Sequence, residues 1–179
     1  EGGEISRFYG YVADGIFQNQ TEVNAHTDEY GTVIQPNAQP GDIRFKDLNH
    51  DGKLDDNDKT FIGNAFPDLM VGINARLAWK NIDFAANFYG TIGNDVYNTT
   101  KGRYSGVSGE NVYAGTYNAS WHGEGTSYDL PRLSYNDANQ NWTRVSSFYV
   151  EDGSYLRCKQ LQIGYTLPKK WTKKISLRL

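Results

Sequence analysis

Hydrophobic and polar residues alternate most regularly along residues 69–89. From Leu69 to Trp79 the odd positions are mostly apolar and the even positions mostly polar or small, with Met70 as the exception. The same alternation restarts at Ile82 after two residues. A period of two is typical of a β-strand whose two faces meet different surroundings, and two short-linked runs predict a β-hairpin.

The polar face of this hairpin carries charged and amide side chains in mid-strand: Asn74, Arg76, Asp83 and Asn87. A packed sandwich core would not accept them, whereas a water-filled barrel lumen would. Each strand also has the length that a tilted strand needs to cross a bilayer. Trp79, beside the turn, is placed where an interfacial aromatic girdle would lie. A soluble sheet with one wet face would show the same alternation.

A second hairpin is predicted near the end of the chain. Residues 160–167 alternate between polar even and mostly apolar odd positions, the basic sequence PKKWTKK follows as a turn, and a returning strand is predicted from Ile175. Between the hairpins, residues 93–152 show little periodicity. Short turns at one end and a long loop at the other are typical of an outer-membrane barrel.

The stretch KDLNHDGKLDDNDKT, residues 46–60, has the oxygen spacing of a calcium-binding loop. Ca²⁺ binds about six to eight oxygens, and alternate side chains of such a loop surround one ion. The predicted ligands are Asp47, Asn49, Asp51, the carbonyl of Lys53, Asp55 and Asp58. Asp58 stands where a longer Glu is usual, and the flanks look like strands, which favours a structural ion over a sensor. An Asx-rich turn without an ion is the alternative.

Composition excludes several classes of function. The chain of 179 residues has a net charge of -3 and no basic patch interleaved with aromatics, which argues against a nucleic-acid surface. Its single cysteine, Cys158, excludes an internal disulfide framework and a cysteine-based zinc site. Aromatic residues are abundant at 14%, including 13 Tyr, which suggests amphipathic interfaces.

Several motifs, in order, resemble the C-terminal third of SusC/RagA-type TonB-dependent outer-membrane transporters. They are RFYGYVADGIFQNQTEV, PGDIRFKDLNHDGKLDDNDKTFIGNAFPDLMVGINARLAWKNIDFAANFYGTIGNDVYN, PRL and YVEDGSYLRCKQLQIGYTLPKKW. The resemblance covers nearly the whole chain and is weakest in residues 101–145. It therefore implies that the chain is a piece of a longer protein.

The resemblance implies an all-β fold: antiparallel strands and hairpins from the C-terminal part of a large transmembrane β-barrel, of about 22 strands, with long extracellular loops. Residues 1–66 would form a strand and loop region with the acidic loop. Residues 67–179 would form barrel hairpins flanking the loop 93–152, in a single partial domain without the plug.

The resemblance also implies a function, namely import of oligosaccharides or peptides across the bacterial outer membrane with TonB energy, without catalysis. Implied partners are a SusD-like surface lipoprotein, outer-membrane lipid and the TonB complex, the last through the N-terminal part that these residues do not include. The loop residues Trp121, Arg132 and Trp142 are candidates for contact with cargo or partner, although such residues often only pack a loop on itself.

Two other functions stay open from the residues alone. One is a soluble, calcium-stabilised carbohydrate-binding β module. The other is a hydrolase, because loop carboxylates such as Asp137 are numerous, although nothing pairs two of them as a glycosidase requires. Most of these carboxylates are expected to be solvated. The three histidines lie far apart, without metal or triad spacing.

Overall fold

The computed structural model describes residues 5–103 and 111–172. Within them the strands are β1 Arg7–Tyr11, β2 Ala13–Ile16, β3 Ile43–Phe45, β4 Lys59–Asn64, β5 Leu69–Trp79, β6 Ile82–Ile92, β7 Asp95–Tyr97, β8 Val150–Asp152 and β9 Tyr155–Tyr165. The helices are short: α1 Gln20–Ala25, α2 Thr100–Arg103, α3 Ala114–Ala119 and α4 Lys169–Thr172. None of the helices in the described ranges is long and apolar enough to cross a membrane. The returning strand predicted from Ile175 lies outside the described residues.

The chain divides into two compact units, each with its own contacts. Residues 5–65, 95–103 and 111–151 form the first, which we call the loop unit. Residues 66–94 and 152–172 form the second, which we call the sheet unit. The domain boundary predicted near residue 66 stays a prediction.

The sheet unit is a three-stranded antiparallel sheet in the order β5-β6-β9. The predicted hairpin is confirmed, because β5 and β6 pair without a break from Leu69 opposite Ile92 to Trp79 opposite Ile82. In the turn Lys80 has a left-handed backbone, with φ 52°. The pairing of β6 with β9 has one irregularity, next to Asn87.

The two faces of this sheet differ in polarity, as the alternation predicts. One face carries large apolar side chains that no other part of the sheet unit covers: Ile163 is 73% exposed, and Ile73 and Leu77 are also exposed. Exposed apolar surface of this extent indicates a face that contacts an apolar partner. The opposite face carries the amide and charged residues.

The loop unit contains small antiparallel pairs, β1 with β4, β2 with β3 and β7 with β8. Its apolar clusters are small, since one contains Tyr11, Ile43 and Phe45 and the other Phe17, Val23 and Ala38. A core this small buries little apolar surface for the length of chain it orders. Hydrogen bonds to buried polar side chains therefore have a large share in fixing the unit.

The helix α1 illustrates how local polar contacts order this unit. Asn19 precedes the helix, and its side chain accepts a hydrogen bond from the backbone N–H of Glu22 at 3.0 Å. In return the Glu22 carboxylate accepts the backbone N–H of Gln18 at 2.8 Å. These contacts satisfy amide groups that a helix leaves unpaired at its start.

Candidate functional site

The centre of the loop unit is the carboxylate of Asp42, which is fully buried. Arg132 donates to it from Nε at 2.6 Å and from Nη2 at 3.4 Å. Asn141 Nδ2 and the backbone N–H of Gln39 each donate at 2.8 Å. A buried carboxylate needs both a countercharge and hydrogen-bond donors, and this one obtains them from three separate segments.

Buried amides extend this network along β3. Asn141 Oδ1 accepts the backbone N–H of Ile43 at 2.9 Å, and Gln35 Oε1 accepts that of Phe45 at 2.8 Å. The carbonyl of Ile43 accepts from Gln35 Nε2 and Asn139 Nδ2, both at 3.0 Å. Because β3 pairs with β2 on its other side, these side chains complete the backbone hydrogen bonding of a buried strand.

Asp137 holds the turn that presents these amides. Its carboxylate accepts the backbone N–H groups of Asn141, Trp142 and Thr143 at 2.8, 3.0 and 3.2 Å, and the Thr143 hydroxyl at 3.1 Å. Asp137 is buried, so the expectation of a solvated carboxylate is wrong for this residue. Local backbone donors replace water around it.

Trp121, Arg132 and Trp142 are the candidates for contact with cargo or partner. In the structure, all three contact other residues of this chain. Trp142 is 5% exposed, and its Nε1 donates to the carbonyl of Arg132 at 3.3 Å. Trp121 donates from Nε1 to Gln18 Oε1 at 3.2 Å, and its ring lies so close to Gly41 that a Cβ there would clash. The Arg132 guanidinium is engaged by the buried carboxylate. These residues therefore pack the loop, and the Trp142 ring offers no surface to cargo.

The acidic loop closes through its own carboxylates. Asp47 and Asp58 are buried, and each oxygen of both residues accepts one backbone N–H group. The bonds are His50 and Gly52 to Asp47 at 2.7 and 2.8 Å, and Leu48 and Asp55 to Asp58 at 2.9 and 2.8 Å. Gly52 has φ +81° and lies against the Asp28 carboxylate, so only glycine fits there.

The other predicted calcium ligands lie at the surface of this loop. Asn49 Nδ2 donates to Asp51 Oδ2 at 2.8 Å, Asp51 Oδ1 accepts the backbone N–H of Lys53 at 3.0 Å, and Asp55 accepts that of Asn57 at 2.8 Å. Within the residues that the structure describes, no group of three His, Cys, Asp or Glu side chains forms a metal site. These hydrogen bonds close the loop, and calcium binding stays a prediction.

The four residues predicted to face a lumen lie on one face of the sheet unit: Asn74, Arg76, Asp83 and Asn87. Asn74 lies directly opposite Asn87. Asn87 Nδ2 in turn donates to Gln160 Oε1 at 2.9 Å, and Gln160 Nε2 donates to Gln162 Oε1 at 3.1 Å. The face thus carries a row of amides across three strands, which suits contact with water. That this water fills a barrel lumen stays a prediction.

Comparisons with known proteins identify relatives of the chain. No protein-family model matches it. It is 33% identical over 178 residues to TonB-dependent receptor P3 of Formosa agariphila, covering 99% of this chain and 17% of the relative. It is 24% identical to TonB-dependent receptor SusC of Bacteroides thetaiotaomicron, covering 95% of this chain and 17% of SusC. The chain thus spans about a sixth of the length of these relatives.

The fold agrees with these sequence similarities. A solved structure of the RagAB peptide importer in the open-open state matches 92% of this chain and 16% of that chain, with a TM-score of 0.60 and 19% identity. The match shows that the chain has the all-β fold of one piece of a large barrel, which confirms the predicted fold class. The chain is a segment of a TonB-dependent outer-membrane receptor of the SusC/RagA family. The same relatives confirm the predicted outer-membrane localisation, and they are named as receptors and as an importer rather than as enzymes.

Asp42→Asn is expected to destabilise the loop unit by about 3–5 kcal/mol, because it leaves the partly buried Arg132 without its countercharge. Thermal unfolding and limited proteolysis of the full-length receptor measure the loss. Asp14→Asn is the matched control, since Asp14 makes only partly exposed ion pairs with Arg44 and Lys46 and should cost at most about 1 kcal/mol. Equal effects of the two variants would contradict a central role for the buried carboxylate.

Proposed function

We propose that this chain forms part of the wall and of the outer surface of an importer that takes up oligosaccharides or peptides with TonB energy. The observation that carries the proposal is the two-faced sheet, whose apolar face is exposed and whose polar face spans three strands. A barrel wall between lipid and a water-filled passage requires this division. The relatives named as TonB-dependent receptors and as a peptide importer support it.

In this proposal the polar face lines the passage. Amides such as Asn74, Asn87 and Gln160 can donate to and accept from the hydroxyl groups of a sugar or the backbone of a peptide. Arg76 and Asp83 add one charge of each sign to the same face. A face with amide groups and charges of both signs offers many weak hydrogen bonds to a polar cargo. Such a face does not hold the cargo through a single strong charge.

The loop unit would lie at the extracellular side and meet a SusD-like surface lipoprotein and the cargo. Four tyrosines in the described part of the long loop are exposed: Tyr113, Tyr117, Tyr128 and Tyr135. Tyr117 packs against His122 with ring centroids 5.0 Å apart and ring planes tilted by 52°. His122 Nε2 also lies 2.7 Å from the carbonyl oxygen of Tyr117. Rigid aromatic rings of this kind can stack on sugar rings or pack against a protein partner.

The soluble carbohydrate-binding module is less well supported. The apolar face of the sheet unit leaves Leu77, Leu161 and Ile163 exposed. Such a face in water would promote aggregation, whereas lipid covers it in a barrel. The relatives are also receptors and importers of the outer membrane.

Ile73→Lys in the full-length receptor is expected to block assembly into the outer membrane, because a lysine on the lipid face near the bilayer centre costs about 2–4 kcal/mol. Asn74→Lys is the matched control, since the adjacent residue lies on the opposite face. The amount of heat-modifiable receptor in purified outer membranes is the measurement. Normal assembly of the Ile73 variant, or equal loss in both variants, would contradict the proposed orientation.

The proposed partner predicts that a tagged full-length receptor co-purifies with a surface lipoprotein from outer-membrane extracts. If the exposed loop tyrosines contact the lipoprotein or the cargo, Tyr117→Ala with Tyr128→Ala should weaken that binding about three- to ten-fold for each ring. Tyr30→Ala, which also removes an exposed tyrosine, is the control. Unchanged lipoprotein recovery and uptake in the double variant would exclude this surface.

We also propose that the acidic loop binds one calcium ion through the predicted ligands Asp47, Asn49, Asp51, the Lys53 carbonyl, Asp55 and Asp58, of which Asn49, Asp51, Lys53 and Asp55 lie at the surface. Calcium should then raise the thermal midpoint of the full-length receptor above its value in a chelator, because an ion that binds only the folded state stabilises it. Asp51→Ala should remove that increase, while magnesium should not replace calcium. An unchanged midpoint would establish the loop as an ion-free Asx turn.

A further inference from the structure

The two ends of the sheet unit differ in charge. The β5–β6 turn end carries Lys80, Lys170 and Asp83, whereas the other end carries Asp68, Asp152 and Arg157. Each long strand has 11 residues, so the two ends are separated by about 35 Å at a rise of about 3.3 Å per residue. A tilted strand of this length spans the hydrocarbon core of a bilayer, so in the proposed barrel orientation each end lies at a different membrane surface.

The cationic end also contains a shallow concavity. It has a volume of about 540 Å³ and is lined by Trp79, Lys80, Asn81, Ile82 and Tyr165. The hydrogen bond from the backbone N–H of Thr166 to the carbonyl of Asn81, at 2.7 Å, attaches the end of β9 to the turn. The concavity is therefore formed by residues of two chain segments that are joined by a backbone hydrogen bond.

Lys80 combines an unusual backbone conformation with an ammonium group that contacts an aromatic ring. Its backbone has φ 52°, a conformation in which glycine or asparagine is the usual choice in a two-residue hairpin turn. The ammonium lies 4.6 Å from the centroid of the Trp79 ring, and Lys80 makes none of the ion pairs found among the described residues. The nearest carboxylate along the turn, Asp83, lies against Gly164 on the polar face.

Apolar surface continues from this concavity along the sheet. Trp79, Tyr165 and Trp171 are exposed at the same end, and Leu77 and Ile163 follow on the apolar face. Indole and phenol rings favour the level of lipid headgroups, with their polar edges in water and their rings against acyl chains. A ligand of this surface must therefore combine an anionic group with a long apolar part.

We propose that this end of the sheet binds an anionic glycerophospholipid of the periplasmic leaflet, with its phosphate at Lys80 and Lys170 and its acyl chains along Leu77 and Ile163. Short turns of outer-membrane barrels face the periplasm, which places the site in that leaflet. Clustered lysines at a membrane surface attract anionic headgroups. The inference rests on the proposed lipid-facing orientation of the apolar face, not on the cargo.

The test uses the full-length receptor, purified in detergent with an equimolar mixture of phosphatidylglycerol and phosphatidylcholine. Native mass spectrometry measures how much of each lipid is retained. The wild type is expected to retain phosphatidylglycerol preferentially. Lys80→Gln with Lys170→Gln should weaken that preference about five-fold for each lysine. Lys53→Gln with Lys159→Gln removes the same charge elsewhere and should leave it unchanged.

Only receptor that is heat-modifiable, and hence assembled, is measured, so a failure of this site is distinct from a failure of the barrel orientation tested at Ile73. Retention of phosphatidylglycerol by the Lys80 and Lys170 variant at the wild-type level would overturn the proposal. So would an equal loss in the control variant, displacement of the lipid by inorganic phosphate alone, or preferential retention of lipopolysaccharide. Loss confined to the Lys80 and Lys170 variant supports it.

Discussion

Burial of the Asp42 carboxylate is the constraint on which the loop unit depends. An ionised carboxylate away from water is costly unless donors and a countercharge surround it. The donors come from Gln39, beside β3, and from Arg132 and Asn141 in the long loop. The long loop therefore has a specified path, because any other path would leave the charge unpaired. A small apolar core could not impose that path.

The two units differ in which kind of side chain is buried and which is exposed. In the loop unit, polar side chains such as Gln35 and Asn139 are buried and hydrogen-bonded, while several aromatic rings are exposed. In the sheet unit, apolar side chains such as Ile163 point outward, and polar side chains bond with one another across strands. The first arrangement suits a rigid surface in water, and the second suits a wall that lipid contacts.

The strands of the sheet unit could be predicted from the sequence because their signal is local. Alternation over Leu69–Trp79 and Ile82–Ile92 depends only on neighbouring residues, and it also shows which residues share a face. The Asp42 network could not be predicted, because Asp42 and Asn141 are far apart in the chain. The burial of Asp137 was missed for a different reason, because its donors are backbone N–H groups of the following turn, and the residue types do not show how that turn folds. The pairing of β6 with β9, across the long loop, is equally non-local.

Because the loop unit depends on ionised carboxylates, its stability also depends on pH. Hydrogen bonds from Thr32 and, next, Tyr30 hold the pKa of Asp28 below its usual value. Hydrogen bonds from Lys101 and then Asn98 lower the pKa of Glu151. A carboxylate whose folded pKa is lowered contributes stability above its unfolded pKa, about 4, and loses it as the pH falls through the folded pKa. These contacts are thus complete at neutral pH, and acid removes them from below pH ~4 downward. The hydrogen bonds that these carboxylates accept therefore contribute fully to the stability of the loop unit at neutral pH.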